Sequence, residues 1–191
     1  MLSSFTDIEL WAASVKGDRE AIGQLFKQHY PLLYQYGIKI YNDPAVVEGA
    51  IQELFADIWH KKPGQKINSV KAYLLQALKF KLYKAFRERK AMINVEDYSN
   101  EFFELSHETF LSKEQDDHEK IKKILEAINQ LPSRQKEIIY LKIYKGLDYD
   151  EISEIMKINY QVVRNLLCQA LKTFRKLVIP FLALLTSQQI S

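Results

Sequence analysis

The stretch from Asp148 to Lys176, DYDEISEIMKINYQVVRNLLCQALKTFRK, has the pattern of two helices separated by a tight turn. Asp148 and Glu151 have the spacing of a capping box, which opens a short helix through Met156. The turn that follows ends on Asn159, a favourable N-cap for a second helix running from Tyr160 to about Leu177. A short capped helix, a tight turn and a longer helix predict a helix-turn-helix.

The second helix of this pair has an apolar face and a polar face. Val163, Leu167, Ala170 and Phe174 are predicted to point inward. The predicted outward face carries Gln161, Arg164, Asn165, Cys168, Lys172 and Arg175. Amide and guanidinium groups near the start of such a helix suit base edges in a major groove, and the later cations suit phosphates. A polar outer face is also what any small helical bundle shows, so the pattern alone leaves both interpretations open.

Residues 73–90, YLLQALKFKLYKAFRERK, form a second informative helical segment. At 100° per residue one side is apolar and is predicted to be core: Leu74, Leu78, Leu82 and Ala85. The opposite side mixes aromatic and basic groups: Tyr73, Gln76, Phe80, Tyr83, Lys84 and Arg87. Single-strand binders combine aromatic faces for stacking with cations for phosphates. The alternative is that the aromatics only widen the core stripe.

The composition predicts an all-α protein. The 191 residues include 6 Gly and 5 Pro, while good helix formers dominate and 47% of residues are hydrophobic, enough for a packed core. Cys168 is the single cysteine, which fits a reducing cytoplasm. The start of the sequence lacks the pattern of a secretory signal, and the longest apolar run is short and contains Pro180. We therefore expect a cytoplasmic protein.

The charge pattern predicts two domains. Residues 61–90 are strongly basic and residues 94–119 are strongly acidic, and helical periodicity is weak within the acidic run. We predict a first helical domain at 1–91, an acidic linker at 92–117 and a second helical domain at 118–191. The linker could equally be a solvated tether whose charge only keeps it in solution.

Polar residues at the predicted helix starts divide each domain into four helices. In the first domain the expected caps are Thr6 or Asp7, then Asp18, Asp43 before Pro44, and Asn68 or Ser69. In the second domain a helix begins at His118, Ser133 caps a helix that runs to Lys145, and Gly146 stops it.

Two parts of the chain resemble one protein family. Residues 131–176, LPSRQKEIIYLKIYKGLDYDEISEIMKINYQVVRNLLCQALKTFRK, resemble the promoter-binding region of bacterial sigma factors of the extracytoplasmic-function group. DREAIGQLFKQHYPLLYQYGIKI at 18–40, IQELFADIWHKK at 51–62 and KAYLLQAL at 71–78 resemble the first domain of the same family. The resemblance implies a transcription initiation factor without catalytic chemistry, cofactor or small-molecule substrate.

The resemblance also implies partners and site residues. Docking on the β′ clamp helices of core RNA polymerase would use Gln52, Glu53, Phe55 and Trp59, although both aromatics could be core. Capture of the unpaired minus-10 strand would use Tyr73, Phe80, Lys84 and Arg87. Contact with the minus-35 duplex would use Gln161, Arg164, Asn165, Lys172 and Arg175. The β flap and an anti-sigma factor are further expected partners, and the linker would thread toward the polymerase active site.

Several positions depart from the family pattern. Gly49 stands where Asp is usual, Phe80 where Asn is frequent and Lys84 where Asp is frequent. The recognition helix has Leu166, Cys168 and Gln169 at positions that are often basic or His. Two other functions stay open: a sigma-like protein that sequesters polymerase or an anti-sigma factor, and an ordinary helix-turn-helix regulator.

Overall fold

The computed structural model describes residues 5–61, 67–93, 103–105 and 118–188, and every regular element within them is helical. The all-α prediction is confirmed. The helices are α1 (Asp7–Lys16), α2 (Arg19–Ile40), α3 (Pro44–Lys61), α4 (Val70–Ile93), α5 (His118–Asn129), α6 (Ser133–Ile139), a π-helical turn (Tyr140–Tyr144), α7 (Tyr149–Met156) and α8 (Tyr160–Gln188).

The helices belong to two compact units. The first contains α1–α4, and the second contains most of the chain from residue 99 onward. The predicted domain limits at 91 and 118 stay predictions, although α4 itself continues to Ile93. Most of the predicted linker lies outside the described residues, which include only its positions 92, 93 and 103–105. Among the described helices, none has the length and apolarity needed to cross a bilayer.

Side-chain caps begin the helices of the first unit as predicted. Thr6 forms a capping box with Glu9, in which the Thr6 N–H donates to Glu9 Oε2 at 2.8 Å. Asp18 Oδ1 caps α2, and Asp43 Oδ1 accepts from the Ala45 N–H at 3.1 Å at the start of α3. Ser69 Oγ accepts from Ala72 N–H at 3.1 Å. Each cap satisfies otherwise unpaired N–H groups, which stabilises a helix by about 1 kcal/mol.

The core of the first unit lies where α2, α3 and α4 pack together. Its fully buried side chains come from all three helices: Leu25, Leu33, Tyr36, Ile51, Leu74, Leu75, Leu78 and Leu82. At Gly37 the helices approach so closely that an added Cβ would lie 2.6 Å from Val47 Cγ1. A glycine is therefore required at this crossing of α2 and α3.

Gly37→Ala is expected to destabilise the first unit by about 1–3 kcal/mol, since the added methyl group forces the two helices apart. Gly49→Ala is the matched control, because a Cβ there meets nothing within 4 Å. That control should raise stability by about 0.5–1 kcal/mol through helix propensity. Denaturant unfolding followed by circular dichroism measures both, and equal stability of the two variants would contradict the close approach.

The second unit differs from the prediction at three points. The N-cap of α6 is Pro132, not Ser133, because the Pro132 carbonyl accepts the N–H groups of Gln135 and Lys136 at 2.8 and 3.0 Å. The predicted single helix to residue 145 changes to a π-helical turn at Tyr140 before Gly146 ends it at a φ of 66°. The last helix was predicted to end near residue 177 and runs to 188, since a proline removes one N–H without always stopping a helix.

Candidate nucleic-acid and polymerase interfaces

The four residues of α3 that were predicted to bind polymerase do not all lie on the same side of the helix. The buried stripe of the helix includes Phe55, which is 6% exposed and packs edge-on against Phe26 with ring centroids 5.1 Å apart. Gln52 and Glu53 lie on the exposed side. The structure therefore places Phe55 in the core, the alternative that its spacing left open, and the two polar residues on the surface.

Trp59 has a different position from Phe55. Its side chain is half-buried and lines a groove between α2 and α3, together with Arg19, Ile22 and Phe26. A partner that enters this groove would reach the indole ring, whereas the ring of Phe55 is mostly covered. Of the two predicted aromatic contacts on α3, Trp59 is the accessible one.

Helix α4 buries one face and exposes an aromatic on the other. Leu74, Leu78 and Leu82 are fully buried, as predicted, while Phe80 is 57% exposed. Tyr73 is half-buried, and its ring packs edge-on against Trp11 of α1 at 4.8 Å. Burial raises the pKa of the Tyr73 hydroxyl. Phe80 is therefore largely exposed, whereas Tyr73 also holds α1 against α4.

Two exposed cations accompany Phe80 on the same face of α4. Positions 80, 84 and 87 are three and four residues apart, a spacing that aligns side chains along a helix. Lys84 and Arg87 are exposed, and Lys84 Nζ lies 3.7 Å from Glu88 Oε1. The structure thus brings together an exposed ring and two positive charges, the combination suited to a base and its phosphates.

An ion-pair network between α3 and α4 was not predicted from the sequence. Lys81 Nζ lies 2.7 Å from Asp57 Oδ2 and 3.3 Å from Glu53 Oε2, and Lys61 Nζ lies 2.7 Å from Asp57 Oδ1. The pairing ties the exposed edge of α3 to α4, so the carboxylate of Glu53 is already engaged. The sequence shows only the i,i+4 spacing of Asp57 and Lys61. The part of the network that includes Lys81 depends on the packing of α3 against α4.

The pKa of Asp57 is lowered to about 2 by its hydrogen bonds to Lys61 and Lys81. Because the folded pKa lies below the unfolded value, the pairing stabilises the protein above about pH 4 and its contribution is lost as the pH falls toward 2. In Asp57→Asn, the free energy of unfolding of the first unit should therefore change less between pH 4 and pH 2 than it does in the wild type. Since the carboxylate is partly exposed, the effect is expected to be small and weaker in high salt.

Urea unfolding of both proteins at several pH values checks this expectation, and Glu88→Gln, which removes the more distant ion pair with Lys84, is the control. An unchanged pH slope in Asp57→Asn would contradict the assignment.

The predicted helix-turn-helix is present in α7 and α8. Glu151 N–H donates to Asp148 Oδ1 at 2.8 Å, and Asp148 N–H donates to Glu151 Oε2 at 3.1 Å, which completes the capping box. Lys157 in the turn has a positive φ of 52°. Asn159 Oδ1 accepts from Val162 N–H at 2.9 Å and caps α8. Local polar groups therefore start both helices and allow the sharp turn between them.

The two faces of α8 are divided as the sequence predicts. Val163, Leu167 and Ala170 are buried, and Phe174, which was also predicted to point inward, is half-buried. The exposed residues include all five predicted DNA contacts and two of the departures from the family pattern: Gln161, Arg164, Asn165, Cys168, Gln169, Lys172 and Arg175. Gln161 Nε2 donates to Asn165 Oδ1 at 3.2 Å, which places two amides side by side near the start of the helix. This face can offer donors and acceptors to base edges.

Comparison with known proteins matches both units. The family model "Sigma-70 region 2" matches residues 25–92, and "Sigma-70, region 4" matches residues 121–174. RNA polymerase sigma factor SigV of Bacillus subtilis (strain 168) is 42% identical over 66 residues, which cover 35% of this chain and 40% of that protein. The match therefore spans less than half the length of this relative.

Two solved structures share the fold. The structure of CnrH in complex with the cytosolic domain of CnrY has a TM-score of 0.61 at 18% identity and covers 90% of this chain and 96% of that one. The sigma factor RpoE with the anti-sigma factor NepR from Bartonella quintana has a TM-score of 0.59 at 20% identity, covering 83% and 97%. With regions 2 and 4 matched in order over two helical units, the chain belongs to the sigma-70 family.

Proposed function

We propose that this protein is a transcription initiation factor that binds core RNA polymerase and directs it to promoters. The observation that carries the proposal is the pairing of two family regions, each of which exposes a face with the chemistry its role requires. The first unit presents an aromatic and basic face on α4, and the second presents a polar face on α8. The protein would act by binding, without a catalytic step of its own.

The exposed faces of α4 and α8 would contact different parts of the promoter. Phe80 would stack on an unpaired base of the minus-10 element while Lys84 and Arg87 contact phosphates. The start of α8 would read base edges of the minus-35 duplex, and Lys172 and Arg175 would hold its backbone. Separate single-strand and duplex contacts would let one protein recognise a promoter and stabilise its opened form.

Polymerase docking would use α3. The exposed groups on that helix are Gln52, Glu53 and Trp59, whereas Phe55 would support them from the core. Glu53 would have to share its carboxylate with Lys81 or exchange this partner on binding. The β′ clamp helices and the β flap are the proposed contact elements of polymerase, which would place the protein in the cytoplasm.

An anti-sigma protein is the proposed regulator. The two similar solved structures are complexes, one with the cytosolic domain of CnrY and one with the anti-sigma factor NepR. By analogy, a protein that covers the DNA and polymerase faces of this chain would hold it inactive.

Mixing the protein with core RNA polymerase tests the proposal most directly. We expect a stable complex on size-exclusion chromatography and run-off transcripts from a subset of a promoter library. Failure to bind polymerase, together with duplex binding by the isolated protein, would instead indicate an ordinary helix-turn-helix regulator. A stable complex that starts no transcript would indicate sequestration, the alternative that the departures at Gly49, Phe80 and Lys84 leave open.

A further inference from the structure

Residues 103–105 form a short non-helical segment within the second unit. Phe103 is 2% exposed and Leu105 is 3% exposed, although neither belongs to a helix. The ring of Phe103 lies 5.5 Å from the ring of Tyr140, at the start of the π-helical turn. Two apolar side chains from the predicted acidic linker therefore enter the core of this unit.

The backbone of Leu105 is held at both its N–H and its carbonyl group. Leu105 N–H donates to Asn129 Oδ1 at 3.2 Å, and Asn129 Nδ2 donates to the Leu105 carbonyl at 2.8 Å. One side-chain amide thus pairs with a residue in the way that a neighbouring β-strand would. Such a clamp recognises an extended backbone, while the pockets on either side recognise its side chains.

A buried cation lies near the same segment. Lys136 is 7% exposed, and its Nζ donates to the Asn129 carbonyl at 3.5 Å. Burial lowers the pKa of Lys136, and the negative charge of Glu104 opposes this change. Glu104, the exposed acidic residue between the two apolar ones, carries a charge opposite to that of Lys136.

We propose that the second unit contains a docking site for an extended peptide of apolar–acidic–apolar pattern, filled here by the chain's own Phe103, Glu104 and Leu105. The site consists of the Asn129 amide, the Tyr140 ring and the Lys136 ammonium group. A simple core contribution would need only the two apolar side chains. The two-point clamp of Asn129 on the Leu105 backbone is a polar requirement that a simple core contribution does not have.

Docking changes the length of chain that links the two units. With the segment docked, residues 94–102 connect Ile93 to the second unit, whereas an undocked segment leaves residues 94–117 as the connection. A linker threaded toward the polymerase active site, as the family resemblance implies, could not occupy the site at the same time. The site would therefore hold the linker in the polymerase-free protein; this consequence, unlike the site itself, rests on the proposed function.

Hydrogen exchange of the full-length protein at single-residue resolution tests the clamp without polymerase or DNA. The Leu105 amide should be protected in the wild type, and Asn129→Ala should accelerate its exchange at least about tenfold, since an opened hydrogen bond removes protection. Gln130→Ala, a substitution at the neighbouring exposed residue, should leave the Leu105 amide protected. Protection of the Val163 amide shows that α8 is intact in each variant. Free exchange of Leu105 in the wild type would overturn the proposal, and so would unchanged protection in Asn129→Ala.

A peptide of residues 100–107, NEFFELSH, tests the site itself. Full-length Phe103→Ala/Leu105→Ala, whose own segment no longer fills the site, should bind the labelled peptide saturably by fluorescence anisotropy. The wild type should bind it at least about tenfold more weakly, because its own segment competes at high effective concentration. The peptide with Glu104→Gln should bind the variant more weakly. Absence of saturable binding to the variant would show that the segment is part of the core and would overturn the docking site, leaving the proposed function untouched.

Discussion

Arg164→Ala combined with Asn165→Ala is expected to weaken promoter binding by the polymerase complex about 30-fold or more. Each base contact of this kind contributes about 1–3 kcal/mol of discrimination, so their joint loss also relaxes the preference at the minus-35 element. Both side chains are exposed and lie outside the buried stripe of α8. Thermal unfolding should therefore be nearly unchanged, and the loss can be assigned to DNA contact.

Binding of the complex to a library of minus-35 sequences, at several salt concentrations, measures this effect. Lys172→Ala is the matched control on the same face. It should weaken all sequences alike and reduce the salt slope by about 1, as expected for a phosphate contact. If the double variant keeps its sequence preference, the polar face of α8 is only a solvated surface.

Phe80→Ala is expected to reduce promoter opening about 5- to 150-fold while polymerase binding persists. The estimate corresponds to one base stacked on an aromatic ring, about 1–3 kcal/mol. Because Phe80 is 57% exposed, its removal leaves the core intact. Permanganate reactivity of unpaired thymines in the polymerase–promoter complex measures the opening.

Phe5→Ala is the matched control for this variant, since Phe5 is 55% exposed in the same unit but lies outside α4. Tyr73 requires a gentler change than Ala, because its ring packs against Trp11. Tyr73→Phe keeps that packing and isolates the hydroxyl group. Normal opening by Phe80→Ala would remove the aromatic face of α4 from the mechanism.

Much of the local structure could be predicted from short-range patterns. Caps such as Thr6 and Asp43 act on N–H groups two or three residues away, so their effect can be read from spacing alone. The faces of α8 follow from helical periodicity, and the exposed set from Gln161 to Arg175 matches the prediction. The prediction of Ser133 as an N-cap was wrong, because Pro132 is the N-cap and its carbonyl accepts the first N–H groups of the helix.

The candidate sites were harder to predict because exposure depends on which helices meet. Phe55 and Phe80 are both phenylalanines on amphipathic helices, yet one is buried against α2 and the other is solvent-facing. Periodicity identifies the central line of the buried face of a helix. The width of that face depends on how the neighbouring helices pack against it. Three described lysines, Lys39, Lys79 and Lys136, are likewise buried in environments that their own segments do not reveal.

The sequence by itself determined most of the helices and their caps, the helix-turn-helix and the resemblance to a sigma factor, because these depend on residues within a few positions of one another. Only the tertiary structure decided the close approach at Gly37, the Asp57–Lys81 pairing and the docking of Phe103 and Leu105. Those features join residues far apart in the chain. Their energies arise from packing, desolvation and charge pairing, which exist only once the helices are in contact.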